Sequence, residues 1–376
     1  MKASNRLHGL LSRGDEIQEL VDRLLRSEVI AVDAEMDSFY SYQTKLCLIQ
    51  ISTNDEDFLV DPLHTEDLSP LREVFESPKI LKVLHAADND VPYLVQRVGG
   101  RVGPLFDTHV AARLLGMPRN GLGGLVADML GKEVDKSHQR ADWRKRPLPP
   151  DMLQYARDDT HFLIRLWKQL FDQLEERELR EEAESAFQRV SQLPPSPRKF
   201  NEHGYLSIRE ARKLSRQHKA RLRDLYRWRE ELSRRLDEAV FRVMPESLLV
   251  PLAQFEGGAD ELRKQFRHPT VQRHAEALCQ VLHRAEAVPF VAPVVEPTLP
   301  PLRGADFERY ERLRKWRNQL AQELGFDTER VLSNRQLKAV VLARPGNPED
   351  LAQVPGLEAW RLEKFGTLLW AQLKPE

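Results

Sequence analysis

The chain has 376 residues, of which 41% are apolar and 31% are charged, and its formal net charge is −1. This length exceeds what one ordinary hydrophobic core accommodates, so we expect two or three domains in a soluble protein. Because the net charge is close to zero, the protein as a whole does not attract nucleic acid. Any nucleic-acid binding must therefore come from local basic patches. No apolar run approaches the ~20 residues that span a membrane, and the N-terminus lacks the apolar core of a signal peptide.

The two cysteines, Cys47 and Cys279, lie far apart and match no metal-binding or redox spacing. This usage excludes a disulfide framework and fits a reducing compartment. We therefore expect a cytoplasmic protein.

Residues 1–195 read as an α/β domain with a mixed sheet flanked by helices, because short apolar runs rich in β-branched residues alternate with amphipathic segments. The predicted strands are 29–32, 45–53, 57–60, 80–84 and 104–106. The predicted helices are 15–25, 68–75, 91–98, 107–116 and 122–130, followed by one long helix over 150–188.

The strand at Val29–Val32 runs into an acidic pair, Asp33 and Glu35. Alternate residues of a strand share a face, so these two carboxylates lie side by side. Two adjacent carboxylates at the end of a buried strand repel each other, and a divalent cation bound through oxygen ligands would offset that cost. The alternative is a strand end that dips into solvent.

Two further acidic clusters follow, each at the end of an element. Asp88 and Asp90 come after the fourth strand, where acidic residues also serve as helix caps. On the last helix Tyr155 and Asp159 share a face one turn apart, and Asp158 also lies near Tyr155. Spacing alone leaves the choices between Asp88 and Asp90, and between Asp158 and Asp159, open.

Four carboxylates from two strand ends and a helix can gather two divalent ions, which activate water and stabilise a phosphate under attack. A tyrosine hydroxyl beside them can orient the attacking water. The combination indicates phosphodiester hydrolysis.

Three motifs in this region resemble those of a known family: V-D-x-E at 32–35, H-x-x-x-x-D at 85–90 and Y-x-x-x-D-T-H at 155–161. They are similar to the exonuclease motifs of the ribonuclease D group, which are DEDD exonucleases of the tyrosine subtype with a ribonuclease H-like fold. KLCLIQIS, FDTHVAARLLG and K-x-x-Q-x-x-D-W-x-x-R-P-L support the resemblance, which covers about residues 15–190.

The resemblance implies specific roles for the acidic residues. It selects Asp90 over Asp88 and Asp159 over Asp158. Asp33, Glu35 and Asp159 are expected to bind metal directly or nearly so, and Asp90 to hold a second metal through water. Tyr155 is expected to position the nucleophile. The implied cofactors are two divalent ions, Mg²⁺ or Mn²⁺.

The remaining chain contains a repeated helical pattern, L-x-x-W-R-x-x-L-x-x-x-L, which opens two segments at a constant offset. Trp228 and Arg229 in the first copy match Trp316 and Arg317 in the second. Both copies resemble HRDC domains, which are helical nucleic-acid-binding modules. The expected boundaries are 205–286 for the first module, 287–304 for a proline-rich linker and 305–376 for the second module.

Substrate binding is expected from a basic stretch that precedes the tyrosine-bearing helix and from aromatic residues that follow the first acidic pair. The predicted substrate-binding residues are Phe39, Tyr40, Lys136, Gln139, Arg140 and Arg146. In the alternative reading the basic stretch is a solvated loop that Trp143 anchors to the core, and at least one of the aromatic residues lies in the core.

These observations and the resemblance imply a 3′→5′ exoribonuclease that releases nucleoside 5′-monophosphates. The expected substrate is RNA with a single-stranded 3′ end, such as tRNA precursors, and the expected state is a monomer without membrane association. The alternatives are a DNA exonuclease of the same fold and a non-catalytic nucleic-acid-binding scaffold.

Overall fold

The computed structural model describes residues 9–135, 137–195, 199–286, 302–325 and 328–373. The chain divides into two compact units. The first contains the sheet domain, without the segment Met36–Lys45, together with the second helical module. The second unit contains Met36–Lys45 and the first helical module. Most of the predicted linker 287–304 lies outside the described residues.

The sheet of the first unit confirms the predicted mixed α/β fold. Its six strands lie in the order β1-β4-β3-β2-β5-β6, which places β2 at the centre. β1 pairs with β4, β2 with β5 and β5 with β6 in parallel, whereas β3 and β4 are antiparallel. The strand bounds are Leu10–Leu11, Val29–Met36, Leu46–Ser52, Asp57–Val60, Leu81–Leu84 and Leu105–Asp107, numbered β1 to β6.

The central strand β2 begins with a fully buried run of small and β-branched residues, Val29 to Val32. Such residues pack well on a pleated, buried surface. Burial becomes partial from Asp33 onward, where the strand reaches the cleft described below. Strand β1 is too short to give a periodic signal and was absent from the sequence prediction.

Within its described residues, the sheet domain has eight helices. Their bounds are Gly14–Leu24, Leu71–Glu76, Val91–Val98, Thr108–Leu114, Leu122–Leu130, Pro150–His161, Leu163–Glu176 and Arg180–Ser191, numbered α1 to α8.

The prediction of one long helix over 150–188 is wrong, because three helices, α6 to α8, occupy this stretch. The first break is at Phe162, two residues after Thr160, whose hydroxyl donates back to the Arg157 carbonyl. Hydroxyl groups that bond back into the preceding turn bend helices. The second break is at Glu178, which adopts a left-handed φ of 54°. Neither break contains a glycine or a proline, the residues that usually indicate a helix break in a sequence.

The first helical module contains five α-helices and two 3-10 helices. The α-helices, α9 to α13, are Arg216–Leu236, Val240–Val243, Glu246–Ala253, Ala259–Gln265 and Pro269–Glu286, and the 3-10 helices are Gly204–Ser207 and Arg209–Lys213. Ser215 caps α9 by accepting a hydrogen bond from the His218 amide at 3.1 Å. The last helix is kinked at His274.

The second helical module contains α14 to α17, which are Ala305–Leu324, Thr328–Val331, Asn334–Ala343 and Ala359–Leu373, and a 3-10 helix at Pro348–Gln353. Ser333 and Gln336 form a capping box at the start of α16. This module lies against α8 of the sheet domain through a buried charge cluster.

Glu182 on α8 is the centre of that cluster. Its side chain is fully buried, and it accepts hydrogen bonds from Arg330 Nε at 2.8 Å and from Lys364 Nζ at 2.6 Å. Nearby, Arg189 is paired with Glu358. A buried carboxylate requires such partners because desolvation of an unpaired charge is costly.

The repeated arginine has the same internal contact in both modules. Arg229 donates from Nη1 to the Met244 carbonyl at 3.2 Å, and Arg317 donates from Nη1 to the Leu332 carbonyl at 2.9 Å. Both side chains are buried. The repeat in the sequence therefore corresponds to a repeat in three dimensions.

Among the described residues, no helix is both long enough and apolar enough to cross a membrane.

Candidate active site

Three predicted carboxylates converge where β2 ends and α6 passes over it. Asp33 and Glu35 come from β2, and Asp159 comes from α6. One oxygen atom of each lies within 4.8 Å of an oxygen atom of the other two. The third member is Asp159, while Asp158 accepts a hydrogen bond from Gln154 Nε2 at 2.9 Å on its own helix.

Asp90 joins these carboxylates from the N-terminus of α3, where it occupies the N-cap position. It is 95% buried, whereas Asp88 is exposed. Burial raises the pKa of Asp90, and the charges of Asp33, Asp107, Asp88 and Asp159 raise it further, so its carboxylate belongs to the same electrostatic cluster.

Asp107, which sequence reasoning did not single out, holds the turn that leads to Asp90. Its buried carboxylate accepts hydrogen bonds from the backbone amides of Ala86, Ala87, His109 and Val110. It thus caps α4 and, at the same time, fixes the turn after β5, in which Ala86 has a φ of 56°. In the sequence, the motif FDTH indicates only that Asp107 caps a helix and does not indicate its contact with the turn after β5.

The pKa values of the clustered carboxylates are raised. Desolvation and then the charge of Asp33 raise the pKa of Glu35 to about 10. Desolvation and then the charge of Asp33 also raise the pKa of Asp90 and the pKa of Asp159. Desolvation raises the pKa of Asp33 itself. Asp33 is the largest charge contribution at all three neighbours, so it lies at the electrostatic centre of the site.

Tyr155 is buried against the side of this cluster. Its hydroxyl lies close enough to the Asp159 carboxylate to favour the ionised form of that group. Its ring lies 5.9 Å from Trp143 and 5.6 Å from His138, both from the loop before α6. Desolvation and the charge of Asp159 raise its pKa far above the ordinary value, so the phenol keeps its proton.

The donor set fits divalent metal ions. All its ligand atoms are carboxylate oxygens, which Mg²⁺ and Mn²⁺ prefer. The raised pKa values are the signature of negative groups gathered without a counter-charge, a pattern typical of functional sites. Asp33, Glu35, Asp159 and Asp90 are the residues that would hold the ions.

The cluster opens into a cleft of about 550 Å³. Gln139 lines this cleft, as do Arg119 and the glycine-rich start of α5, Gly121 to Gly124. Amide groups at a helix N-terminus favour negative charge, so the start of α5 is suited to phosphate in the same cleft that the carboxylates line.

The two histidines of the sequence motifs have partners other than metal. His85 Nδ1 lies 2.9 Å from the Thr108 hydroxyl, and burial lowers the His85 pKa to about 4. His161 Nδ1 lies 2.9 Å from an Asp57 carboxylate oxygen.

The basic loop before α6 has a structural task that only the alternative reading anticipated. Trp143 is 1% exposed and anchors the loop in the core. Arg146 uses all its N–H groups on Asp61 and on the carbonyls of Cys47, Trp143 and Lys145. These contacts occupy every Arg146 donor within the protein, and its assignment as a substrate-binding residue remains a prediction.

The other predicted substrate-binding residues differ from one another in exposure and in the compact unit to which they belong. Arg140 is exposed, and Lys136 lies outside the described residues. Phe39 and Tyr40 belong to the second compact unit, where Phe39 is exposed and Tyr40 is half-buried. Tyr42, from the same segment, is a core residue, as the alternative reading expected.

We expect the thermal stability of the metal-free protein to fall as pH rises from about 5 to 9. The folded state holds protons on carboxyl groups whose pKa values are raised, so this stability is lost as pH rises towards the folded pKa of Glu35, about 10. Metal competes with those protons. The increase in Tm on addition of Mg²⁺ or Mn²⁺ should therefore be several degrees larger at high pH than at low pH. Differential scanning fluorimetry at pH 6 and pH 8 measures this, and an equal increase at both would contradict it.

The chain is similar to several known proteins. The profile of a 3′-5′ exonuclease family matches residues 11–175, and the HRDC domain profile matches residues 218–282 and 306–373. Exosome complex component 10 of Mus musculus is 37% identical over 65% of this chain and 28% of its own length. This chain spans about a third of the length of the exosome relatives it matches.

Two further relatives cover more of their own length. Ribonuclease D of Pseudomonas paraeruginosa is 29% identical over 90% of both chains. The crystal structure of the catalytic core of RRP6 from Trypanosoma brucei has a TM-score of 0.67 and 30% identity, and covers 74% of this chain and 79% of its own. The chain therefore belongs to the 3′-5′ exonuclease family that includes ribonuclease D and RRP6, and it carries two HRDC domains.

Proposed function

We propose that this protein is a metal-dependent 3′→5′ exoribonuclease that hydrolyses RNA stepwise to nucleoside 5′-monophosphates. The observation that carries the proposal is the convergence of Asp33, Glu35 and Asp159 within 4.8 Å, with Asp90 and Tyr155 beside them. When bound, two divalent ions would supply the charge that activates water and stabilises the leaving oxygen.

The side chains of the chain itself have distinct tasks in this proposal. The four carboxylates hold the ions and are deprotonated in doing so. Tyr155 keeps its proton, so its hydroxyl orients the attacking water by hydrogen bonding and does not act as a general base. Gln139, Arg119 and the start of α5 line the same cleft and would bind the phosphate there.

A labelled RNA tests the reaction directly. We expect 5′-labelled single-stranded RNA to give a ladder that shortens by one nucleotide at a time with Mg²⁺ or Mn²⁺, and no products in EDTA. The matched DNA oligonucleotide, run in competition, tests the preference for RNA. Products that begin as internal fragments, or cleavage in EDTA, would contradict the proposal.

Replacing Tyr155 with phenylalanine should lower the rate of nucleotide release by roughly 10²-fold. The ring and its packing against Trp143 remain, so RNA affinity and Tm should change little. Single-turnover kinetics and RNA binding in EDTA separate the two effects. Tyr310→Phe, in the second module, is the matched control, and an unchanged rate for Tyr155→Phe would refute the positioning role.

We further propose that the natural substrates are tRNA precursors or other structured RNAs with single-stranded 3′ ends, and that the protein acts in the cytoplasm as a monomer. A tRNA with a 3′ extension should be trimmed to a discrete end, while a blunt duplex should resist. Light scattering at micromolar concentration should give a single species of 43.6 kDa.

A further inference from the structure

An exposed aromatic pair lies in the second compact unit. Phe39, in the segment Met36–Lys45, is 45% exposed, and Phe241, on α10 of the first module, is 53% exposed. Their ring centroids are 6.3 Å apart and their planes meet at 82°. Two large apolar rings in contact at a surface form a small apolar patch, and such patches mark candidate binding sites.

The segment that carries Phe39 is firmly held by the first module. The Ala239 amide donates to the Tyr40 carbonyl at 2.9 Å. The buried Tyr42 hydroxyl donates to Glu230 at 2.8 Å, and Lys45 is paired with Asp237 at 2.6 Å. These three contacts fix the relative positions of the two rings, so the surface is preorganised.

A cation completes the surface. The guanidinium of Arg242 lies 5.1 Å from the centroid of the Tyr40 ring. Within the described part of the chain, Arg242 makes no hydrogen bond or ion pair, and its side chain is exposed. Its N–H groups are therefore available to an anion. We call Phe39, Tyr40, Phe241 and Arg242 the aromatic platform.

Phe39 is close in sequence to the first pair of carboxylates. Phe39 follows Glu35 by four positions, so their Cα atoms are at most ~14 Å apart. That reach corresponds to roughly two to four nucleotides of a stacked single strand.

We propose that the aromatic platform binds single-stranded RNA close to its 3′ end, with bases stacked on Phe39 and Phe241 and a phosphate bound by Arg242. This inference rests on the proposed function. Aromatic faces accept any base, and an adjacent cation holds the backbone, which is what a nuclease without sequence preference needs. The first module thereby contributes to substrate binding through Phe241, a residue outside its repeated pattern.

Fluorescence of 2-aminopurine tests the proposal in the full-length protein, because stacking on an aromatic ring quenches this base. RNAs with a single 2-aminopurine at successive positions from the 3′ end are titrated with protein in EDTA. We expect quenching confined to positions near the 3′ end. Phe39→Ala and Phe241→Ala should each abolish it at one position and weaken RNA binding by ~10-fold.

Two further variants make the outcome specific. Phe241→Tyr keeps a stacking face and should retain quenching. Phe307→Ala removes a phenylalanine that is 52% exposed on α14 and should leave both quenching and affinity unchanged. Circular dichroism and Tm verify that each variant is folded.

The possible failures are distinguishable. If the wild-type protein neither binds nor degrades RNA, the proposed function fails. If it degrades RNA while Phe241→Ala binds and quenches like the wild type, the platform assignment is overturned. A wild-type dimer that Phe241→Ala converts to a monomer, with RNA binding unchanged, would assign the surface to a second copy of the chain and also overturn the proposal.

Discussion

Replacing Asp33 with asparagine is expected to lower the rate of nucleotide release by ~10³-fold or more. Asp33 is the largest charge contribution to the raised pKa values of Glu35, Asp90 and Asp159, so it is the carboxylate that most concentrates negative charge in the site. Without it, metal binding weakens, whereas RNA binding elsewhere on the chain persists. Ladder assays and RNA binding in EDTA measure the two properties.

The loss should not be a loss of folding. Asparagine is close in size and removes a repulsive charge, so the Tm of the metal-free Asp33→Asn protein should equal or exceed that of the wild type, while the increase in Tm with metal should disappear. Asp158→Asn is the matched control, since Asp158 bonds to Gln154 on its own helix. Parental activity in Asp33→Asn would show that the site is elsewhere.

Replacing Glu182 with alanine is expected to lower the free energy of unfolding of the first unit by about 3–5 kcal/mol. The change removes the carboxylate that binds Arg330, itself 92% buried, and it also removes one of the partners of Lys364. Chemical denaturation of the full chain measures the loss. The second module should also become more sensitive to limited proteolysis, since this cluster holds it to α8.

Two comparisons isolate the buried charge. Glu184→Ala, two positions along the same helix, removes a largely exposed carboxylate paired with Arg180 and should cost less than ~1 kcal/mol. A triple variant, Glu182→Leu with Arg330→Met and Lys364→Met, removes all three charges and should recover most of the stability. If Glu182→Ala and Glu184→Ala have equal effects, the buried cluster is not what secures the module.

The candidate site was largely predictable because its residues follow short, regular rules. Asp33 and Glu35 share a face through the two-residue period of a strand, and Tyr155 and Asp159 share a face through the helical period. Those periods say nothing about which residues distant in sequence meet in space. The choice of Asp159 over Asp158 needed either a family resemblance or the structure, because both residues satisfy the helical spacing.

Residues that act through tertiary contacts were not predictable in this way. Asp107 is an ordinary helix cap in the sequence, and only the structure shows that it also holds the turn before Asp90. Arg146 was predicted to bind substrate because charge is visible in a sequence, whereas its pairing with Asp61 is not. Glu182 lies in a charged helix that reads as solvated, and its burial depends on a module more than a hundred positions later.

The shared contact of Arg229 and Arg317 affects how these modules should be dissected. Suppose that every arginine of such a module is replaced in turn and RNA binding is measured for each variant. Loss of binding in the Arg229 and Arg317 variants would then be taken as evidence that both residues contact RNA. Each instead holds a carbonyl inside its own module, so its removal unfolds the binding surface without removing a point of attachment. The salt dependence of binding separates the two cases, because only the loss of a phosphate contact changes the number of counterions released. By this criterion the tryptophan–arginine pair is a feature of the HRDC fold. Its presence does not indicate how many phosphates the module binds.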